Sequence, residues 1–281
     1  MDDRLDPQHG SASALTTIRA ALVDASTSLI DRPVELDRDL IASTFGLSWY
    51  AATRNEGRAQ ATRTLYLDVP VRSIVGLFHR SFAPDARTWR ELLAGLHGKG
   101  WGPETLRYFE SELGDDFFPA PCSAYGLRLR SWGGALVCSN GMHRLVAGAC
   151  WLAARQGDNA TFRKVRVEYH PLREQAVAVM TEAHRRGELV EALHNKDSVT
   201  MAIRTRSAKR YRYWRLDGEA AVAVPAPGGW PNRLRRCVGL PTRVDRLHWE
   251  SVPPAVIDAL ADDGWLRTQL DNPRYPEALP Y

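Results

Sequence analysis

Leu136-Val-Cys-Ser-Asn-Gly-Met-His-Arg-Leu-Val-Ala-Gly-Ala-Cys-Trp-Leu152 reads as an apolar strand, a tight Ser139-Asn140-Gly141 turn, and a helix opening on Met142-His143-Arg144. That order directs backbone N–H groups, a helix N-terminus, an imidazole and a guanidinium at one spot, an arrangement suited to a phosphate. Gly141 supplies the left-handed backbone such a turn needs and permits close approach of a ligand. Asn140 either caps the helix or tolerates positive φ in the turn. Arg144 can grip a phosphate bidentately.

Working outward, Leu127 and Leu129 alternate with Arg128 and Arg130. The pattern predicts a strand from Tyr125 to Trp132, with Gly133-Gly134 turning it as a hairpin into Ala135–Cys138. Further back, Leu65, Leu67, Val69 and Val71 repeat with period two, and Pro70 puts that strand near an edge or a bulge. Trp89, Leu92, Leu93 and Leu96 have helical spacing, with Thr88 and Glu91 as a capping box and Gly98 and Gly100 as a stop. Pro103 opens a second helix. After the motif helix, Val165, Val167 and Tyr169 predict a strand closed by Pro171, and 174–193 reads as one helix. Before residue 64, Leu15 to Leu29 and Leu36 to Tyr50 allow helices, 1–12 reads as disordered and 53–63 as a linker. Pro254 lies in a late helix, 252–260.

Composition bounds the function classes. The chain has 281 residues, 44% hydrophobic and 25% charged, as in globular proteins. It has no run of eighteen apolar residues, which argues against a membrane span. Met1-Asp-Asp-Arg-Leu-Asp is acidic and lacks an apolar signal core, so a cytoplasmic protein is expected. Cys122, Cys138, Cys150 and Cys237 form no CxxC pair and are expected as reduced thiols. The eight histidines are scattered, and no metal constellation appears.

The formal charge of +4 is unevenly spread: residues 196–246 hold twelve Lys or Arg against four Asp or Glu, a local balance of +8. Within them Lys209-Arg-Tyr-Arg-Tyr-Trp-Arg215 interleaves cations with aromatics. As a strand it sets Arg210, Arg212 and Trp214 on one face and Tyr211, Tyr213 and Arg215 on the other. Such a surface holds nucleic acid by phosphate pairing and base stacking, or it is a half-buried strand with snorkelling arginines.

The strand Leu65–Val71, Arg80 and Phe82 after it, the helix Trp89–His97, and the strand–Asn140-Gly141-Met142-His143-Arg144–helix unit together resemble the ParB/sulfiredoxin-like superfamily over residues 64–172. The resemblance implies an α/β (α+β) core; outside it, residues 1–60 read as a helical, partly disordered N-terminal extension. Residues 173–281 would then be a helix plus a basic C-terminal region that no pattern assigns to a fold. It also implies that Ser139, Asn140, Gly141, His143, Arg144 and Arg80 bind a nucleoside triphosphate, ATP or CTP, with Mg²⁺. Sulfiredoxins carry a nucleophilic Cys where this chain has Met142, which has no thiolate form, so that activity is not expected.

The implied function is nucleotide binding coupled to DNA engagement through the basic region at Lys209, Arg210, Arg212 and Arg215; a homodimer is kept open. His143 stands where partition proteins have a second arginine and matches the free-serine kinase branch instead. An ATP- or ADP-dependent small-molecule kinase is therefore the alternative, with His143 and Asp68 as catalytic residues, Asp68 being the base. A nuclease would need paired carboxylates at metal spacing, which are not apparent.

Overall fold

Period-two burial along Arg63–Pro70, with Leu65, Leu67 and Val69 turned inward, sets the first strand of a computed structural model. It describes residues 13–34, 63–77, 83, 85–98, 100–120, 126–172, 174–193, 202–207, 210–217, 220–224 and 249–276. The expectations for 1–12, the helix at 36–50, the linker at 53–62, Arg80 and Lys209 lie outside the described residues.

The strands are β1 (Arg63–Pro70), β2 (Ile74–Leu77), β3 (Arg128–Trp132), β4 (Ala135–Asn140), β5 (Thr161–His170), β6 (Leu189–Leu193), β7 (Ala202–Ser207), β8 (Arg210–Asp217), β9 (Ala220–Val224) and β10 (Trp249–Ser251). The helices are α1 (Ala14–Val23), α2 (Trp89–Ala94), α3 (Glu104–Glu110), α4 (Met142–Gln156), α5 (Glu174–Arg185), α6 (Pro254–Ala261) and α7 (Gly264–Asp271). Among the described residues two five-stranded sheets result, ordered β1-β5-β3-β4-β2 and β10-β6-β7-β8-β9. In the first, β2–β4 and β3–β5 are parallel; the second is antiparallel throughout. The protein is α+β, and no helix among the described residues is long and apolar enough to cross a membrane.

One face of the first sheet packs against α1 to α4, through Leu15, Ile18, Trp89, Leu92, Phe109 and Leu145 among others. Its opposite face offers Val75, Ala135 and Val137 to Met180 of α5, Ile203 of β7 and Ile257 of α6. α1 is part of the main core, and Arg19 on it donates to the carbonyls of Leu93, Ala94 and Leu96 at the end of α2. Residues after 172 share a core with the first sheet, because an internal strand such as β4 has two apolar faces to cover.

Several expectations hold. The Thr88–Glu91 capping box is present in both directions, Pro103 precedes α3, and the 133–134 turn joins β3 to β4. Others need correction. The helix expected to Leu29 ends at Val23, and Leu29–Asp31 is a 3₁₀ turn. The helix expected over 174–193 stops at Arg185. Gly187 takes φ +70°, its amide donates to the His184 carbonyl, and the Glu188 amide donates to that of Ala183. This Schellman pattern ends the helix and frees 189–193 to become β6.

Pro70 lies on an edge strand that also faces a bulge. The register moves from Leu67↔Val165 to Val69↔Phe162, so Arg163 and Lys164 together oppose Asp68, with Lys164 at φ +52°. An extra residue of this kind bends the strand and leaves local backbone groups to be satisfied otherwise.

Candidate functional site

β4 ends at Asn140 and α4 begins at Met142, so Gly141 alone makes the change of direction, at φ +86° and ψ +30°. It is the N-cap residue, and no side chain caps the helix there. Asn140 is therefore not the cap; its amide instead donates to the Gly126 carbonyl at 2.8 Å. The Ser139 hydroxyl donates to the Arg128 carbonyl at 3.2 Å, and the Cys138 thiol to the Asn140 carbonyl at 3.3 Å. These bonds hold the turn against the chain entering β3. The first intrahelical bond runs from the Leu145 amide to the Gly141 carbonyl, 2.9 Å. The amides of Met142, His143 and Arg144 lie in the first turn of the helix, ahead of that bond.

Arg144 does not extend into water. It is half-buried, its Cζ lies 5.1 Å from the centroid of the Phe118 ring, and a Cβ on Gly141 would come within 3.3 Å of its Nε. The guanidinium also lies beside the Tyr108 hydroxyl. Burial raises the pKa of that phenol, Arg144 pulls it back down, and the Asp116 carboxylate adds to the rise. The Tyr108 hydroxyl is buried beside that guanidinium. His143 is exposed on the first turn.

The turn therefore has a second wall, the segment 108–118. Tyr108, Asp116, Phe117 and Phe118 were not singled out from sequence, although Asp115-Asp-Phe-Phe118 is a conspicuous pairing of acids with aromatics. The register also sets Arg128 opposite Asn140 and Arg166 opposite Arg128, so two more arginines stand in the rows leading to the turn.

Asp68 stands elsewhere. It is on β1, three strands from β4 in the sheet, about 14 Å at the usual strand spacing. Its carboxylate accepts from the Lys164 amide (3.0 Å), Arg274 (2.9 Å) and the Tyr275 hydroxyl (2.8 Å). It closes the β5 bulge and anchors the segment after α7. The structure thus does not bring Asp68, the expected base, beside the turn.

The 210–215 run is the expected strand, β8, but its aromatics are mostly spent internally. Tyr213 is 2% exposed and Trp214 packs on the second core; Tyr211 is partly exposed. Arg212 pairs with Glu188. Arg204, across from Tyr213, lies between the rings of Tyr211 and Trp249, 4.8 and 4.5 Å from their centroids. Arg206, Arg210, Arg212 and Arg215 remain exposed on this sheet.

Cys138 and Cys150 are buried, and burial pushes each thiol up to about 12. Both are neutral small groups in the core. A cleft of about 280 Å³ is lined by Tyr169, Leu172, Val177, Leu260 and Leu266, among others. Its charges satisfy one another, Arg267 bonding Asp263 at 2.8 Å and Glu174 at 2.7 Å, so it has little to offer a phosphate. No group of three or more metal-ligating side chains occurs among the described residues. No protein-family model, curated protein or solved structure matches the chain.

Proposed function

We infer that the Ser139–Arg144 turn binds the phosphates of a nucleoside triphosphate, ATP or CTP. One observation carries this: Arg144 is folded back against a left-handed Gly141 that opens a fifteen-residue helix, beside the buried Tyr108 hydroxyl. First-turn amides, a guanidinium and a phenol together match the three-sided demand of a phosphate. His143 extends the donor set toward solvent. A bound triphosphate would supply most of the oxygens for Mg²⁺, which needs only one or two protein carboxylates in such complexes; Asp116 is the carboxylate at hand.

Isothermal titration with ATP and CTP tests the reading. Arg144→Gln should weaken binding on the order of tenfold or more, as for a lost charge-assisted contact. Unchanged affinity in that variant would remove the turn from consideration. The ParB/sulfiredoxin-like assignment of residues 64–172 belongs to this proposal.

DNA engagement, in a cytoplasmic setting and with a homodimer as the assembly to look for, rests on the +8 region and the exposed Arg206, Arg210, Arg212 and Arg215. If phosphates are contacted there, the logarithm of affinity for duplex DNA falls linearly with the logarithm of salt. A flat dependence would remove DNA from the proposal.

A second reading is phosphotransfer to a small hydroxyl compound of the free amino acid type. It is favoured by the Asp116 carboxylate standing close enough to influence Tyr108. Asp116, rather than Asp68, would accept the substrate proton. Asp116→Asn should then abolish transfer while nucleotide binding persists; transfer at the full rate would discard this reading.

A further inference from the structure

The cleft that Tyr169, Leu172 and Leu266 help to line lies where α5, α6 and α7 meet the end of β5. Asp263, the N-cap residue of α7, is followed by Leu266, Arg267 and Leu270 at i+3, i+4 and i+7. One face of that helix therefore supplies four of the lining residues. Glu174 opens α5, and Val177 follows one turn later. Leu260 and Leu266 are each 2% exposed, while Leu172, Val177 and Leu270 are half-buried. The wall is aliphatic.

The polar groups gather in one place. Arg267 holds Asp263 and Glu174 together, at 2.8 and 2.7 Å, and two carboxylates around one guanidinium leave an excess of negative charge. The Tyr169 phenol lies in their field: burial raises its pKa, Arg267 pulls it down and Asp263 pushes it up. Its hydroxyl makes no hydrogen bond to a described residue. An ammonium group has three N–H donors and no acceptor, and it meets here a phenol oxygen and two carboxylates. An anion meets the excess charge and is repelled.

Volume sets the rest of the ligand. An apolar cavity of about 150 Å³ takes up benzene, so a cleft of about 280 Å³ takes a ring or branched chain with a short arm. Apolar walls with a few convergent polar groups are the usual make-up of small-molecule sites. We propose that this cleft binds a compact apolar primary amine, its hydrocarbon part against Leu172, Val177, Leu260 and Leu266 and its ammonium at Glu174, Asp263 and Tyr169. The proposal stands apart from the phosphate reading, since none of these residues belongs to the 139–144 turn or to its second wall.

Ligand-observed NMR titration of the full chain with phenethylamine, phenethyl alcohol and phenylacetate at neutral pH tests it. The amine should bind more tightly than the alcohol, and phenylacetate more weakly than either. The Glu174 side chain is 74% exposed, so Glu174→Gln leaves the fold intact. That variant should weaken the amine about threefold, the scale of one exposed charge pair, and leave the alcohol unchanged. Leu270→Trp sets an indole in the cleft and should abolish binding of all three probes, with a melting curve to establish that it folds. If it does not fold, the Glu174→Gln comparison decides alone. Equal affinity for the three probes, unchanged amine affinity in Glu174→Gln, or full binding by folded Leu270→Trp would each overturn the proposal. So would a wild type that binds none of them.

Discussion

Gln269 on α7 satisfies both backbone groups of Asp68: its side-chain carbonyl accepts the Asp68 amide at 2.7 Å, and its NH₂ donates to the Asp68 carbonyl at 2.9 Å. Asp68 sits opposite the β5 bulge on an edge strand, where no strand among the described residues lies on the outer side. One amide side chain does there what a strand would do, and it protects an edge that is otherwise open to pairing. Gln269→Ala should cost about 1–3 kcal/mol by leaving two part-buried groups unmet. Urea unfolding measures the loss; a midpoint equal to wild type would mean that water replaces both bonds.

Glu191 and Arg204 face each other across β6 and β7, each about 7% exposed, joined by two N–H···O bonds of 2.7 Å. Removing one partner strands a buried charge, so Arg204→Ala or Glu191→Ala should destabilise by about 3–5 kcal/mol. Replacing the pair with Met and Leu together should cost much less. A double-mutant cycle by chemical denaturation makes the comparison, and additive single effects would contradict the coupling.

Glu168 accepts from His170 (3.2 Å) and Arg130 (2.9 Å), first the His170 hydrogen bond and then Arg130 holding its carboxyl down to about 2. A carboxyl whose folded pKa is depressed adds stability above its unfolded value near 4.5, and that contribution disappears as pH falls from about 5 toward 2. Because the side chain is 38% exposed, screening reduces the effect to about 1 kcal/mol. Glu168→Gln should match wild type near pH 2 and be less stable at pH 7. Equal stability of the two proteins at pH 7 would refute the assignment.

Gly141 holds φ +86°, which an L side chain adopts at a cost of about 1–2 kcal/mol. An added Cβ would also crowd Arg144 and Leu127, at 3.3 and 3.2 Å. Gly141→Ala should lower the melting temperature modestly and weaken nucleotide binding more than the stability loss accounts for. Tight binding in a merely less stable protein would show that Arg144 is not displaced.

Cys138 and Cys150 should resist alkylation in the native protein at pH 8, since thiols pushed up to about 12 hold almost no thiolate there. Peptide mapping after brief iodoacetamide treatment, with and without urea, reads this directly. Rapid native labelling of either residue would show that it is open to solvent.

Most of the local structure around the turn was legible in the sequence. The strand–Gly141–helix unit, the Thr88 capping box and the 133–134 hairpin depend on residues at most four apart, and their chemistry is written in adjacent side chains. Gly187 was equally local; it was overshadowed by apolar residues on either side that continue a helical spacing. The second wall of the site was not legible. Phe118 reaches Arg144 across 26 positions, and nothing in the spacing of either element indicates that they meet. The aromatic–arginine run at 210–215 carried two meanings in sequence. Packing favoured the internal one for Tyr213 and Trp214, because the other strands of the sheet and α5 remove them from water.

The sequence by itself therefore determined an α+β chain with a glycine-opened helix after an apolar strand, since periodicity and turn chemistry act over a few residues. Only the tertiary structure decided that Asp68 braces a bulge three strands from the turn, that Arg144 lies between Phe118 and Gly141, and that the described elements after 172 share a core with the first sheet. Those outcomes come from burying apolar faces and satisfying backbone groups between segments far apart in sequence. Such partners compete across the whole molecule, and no local pattern can rank them.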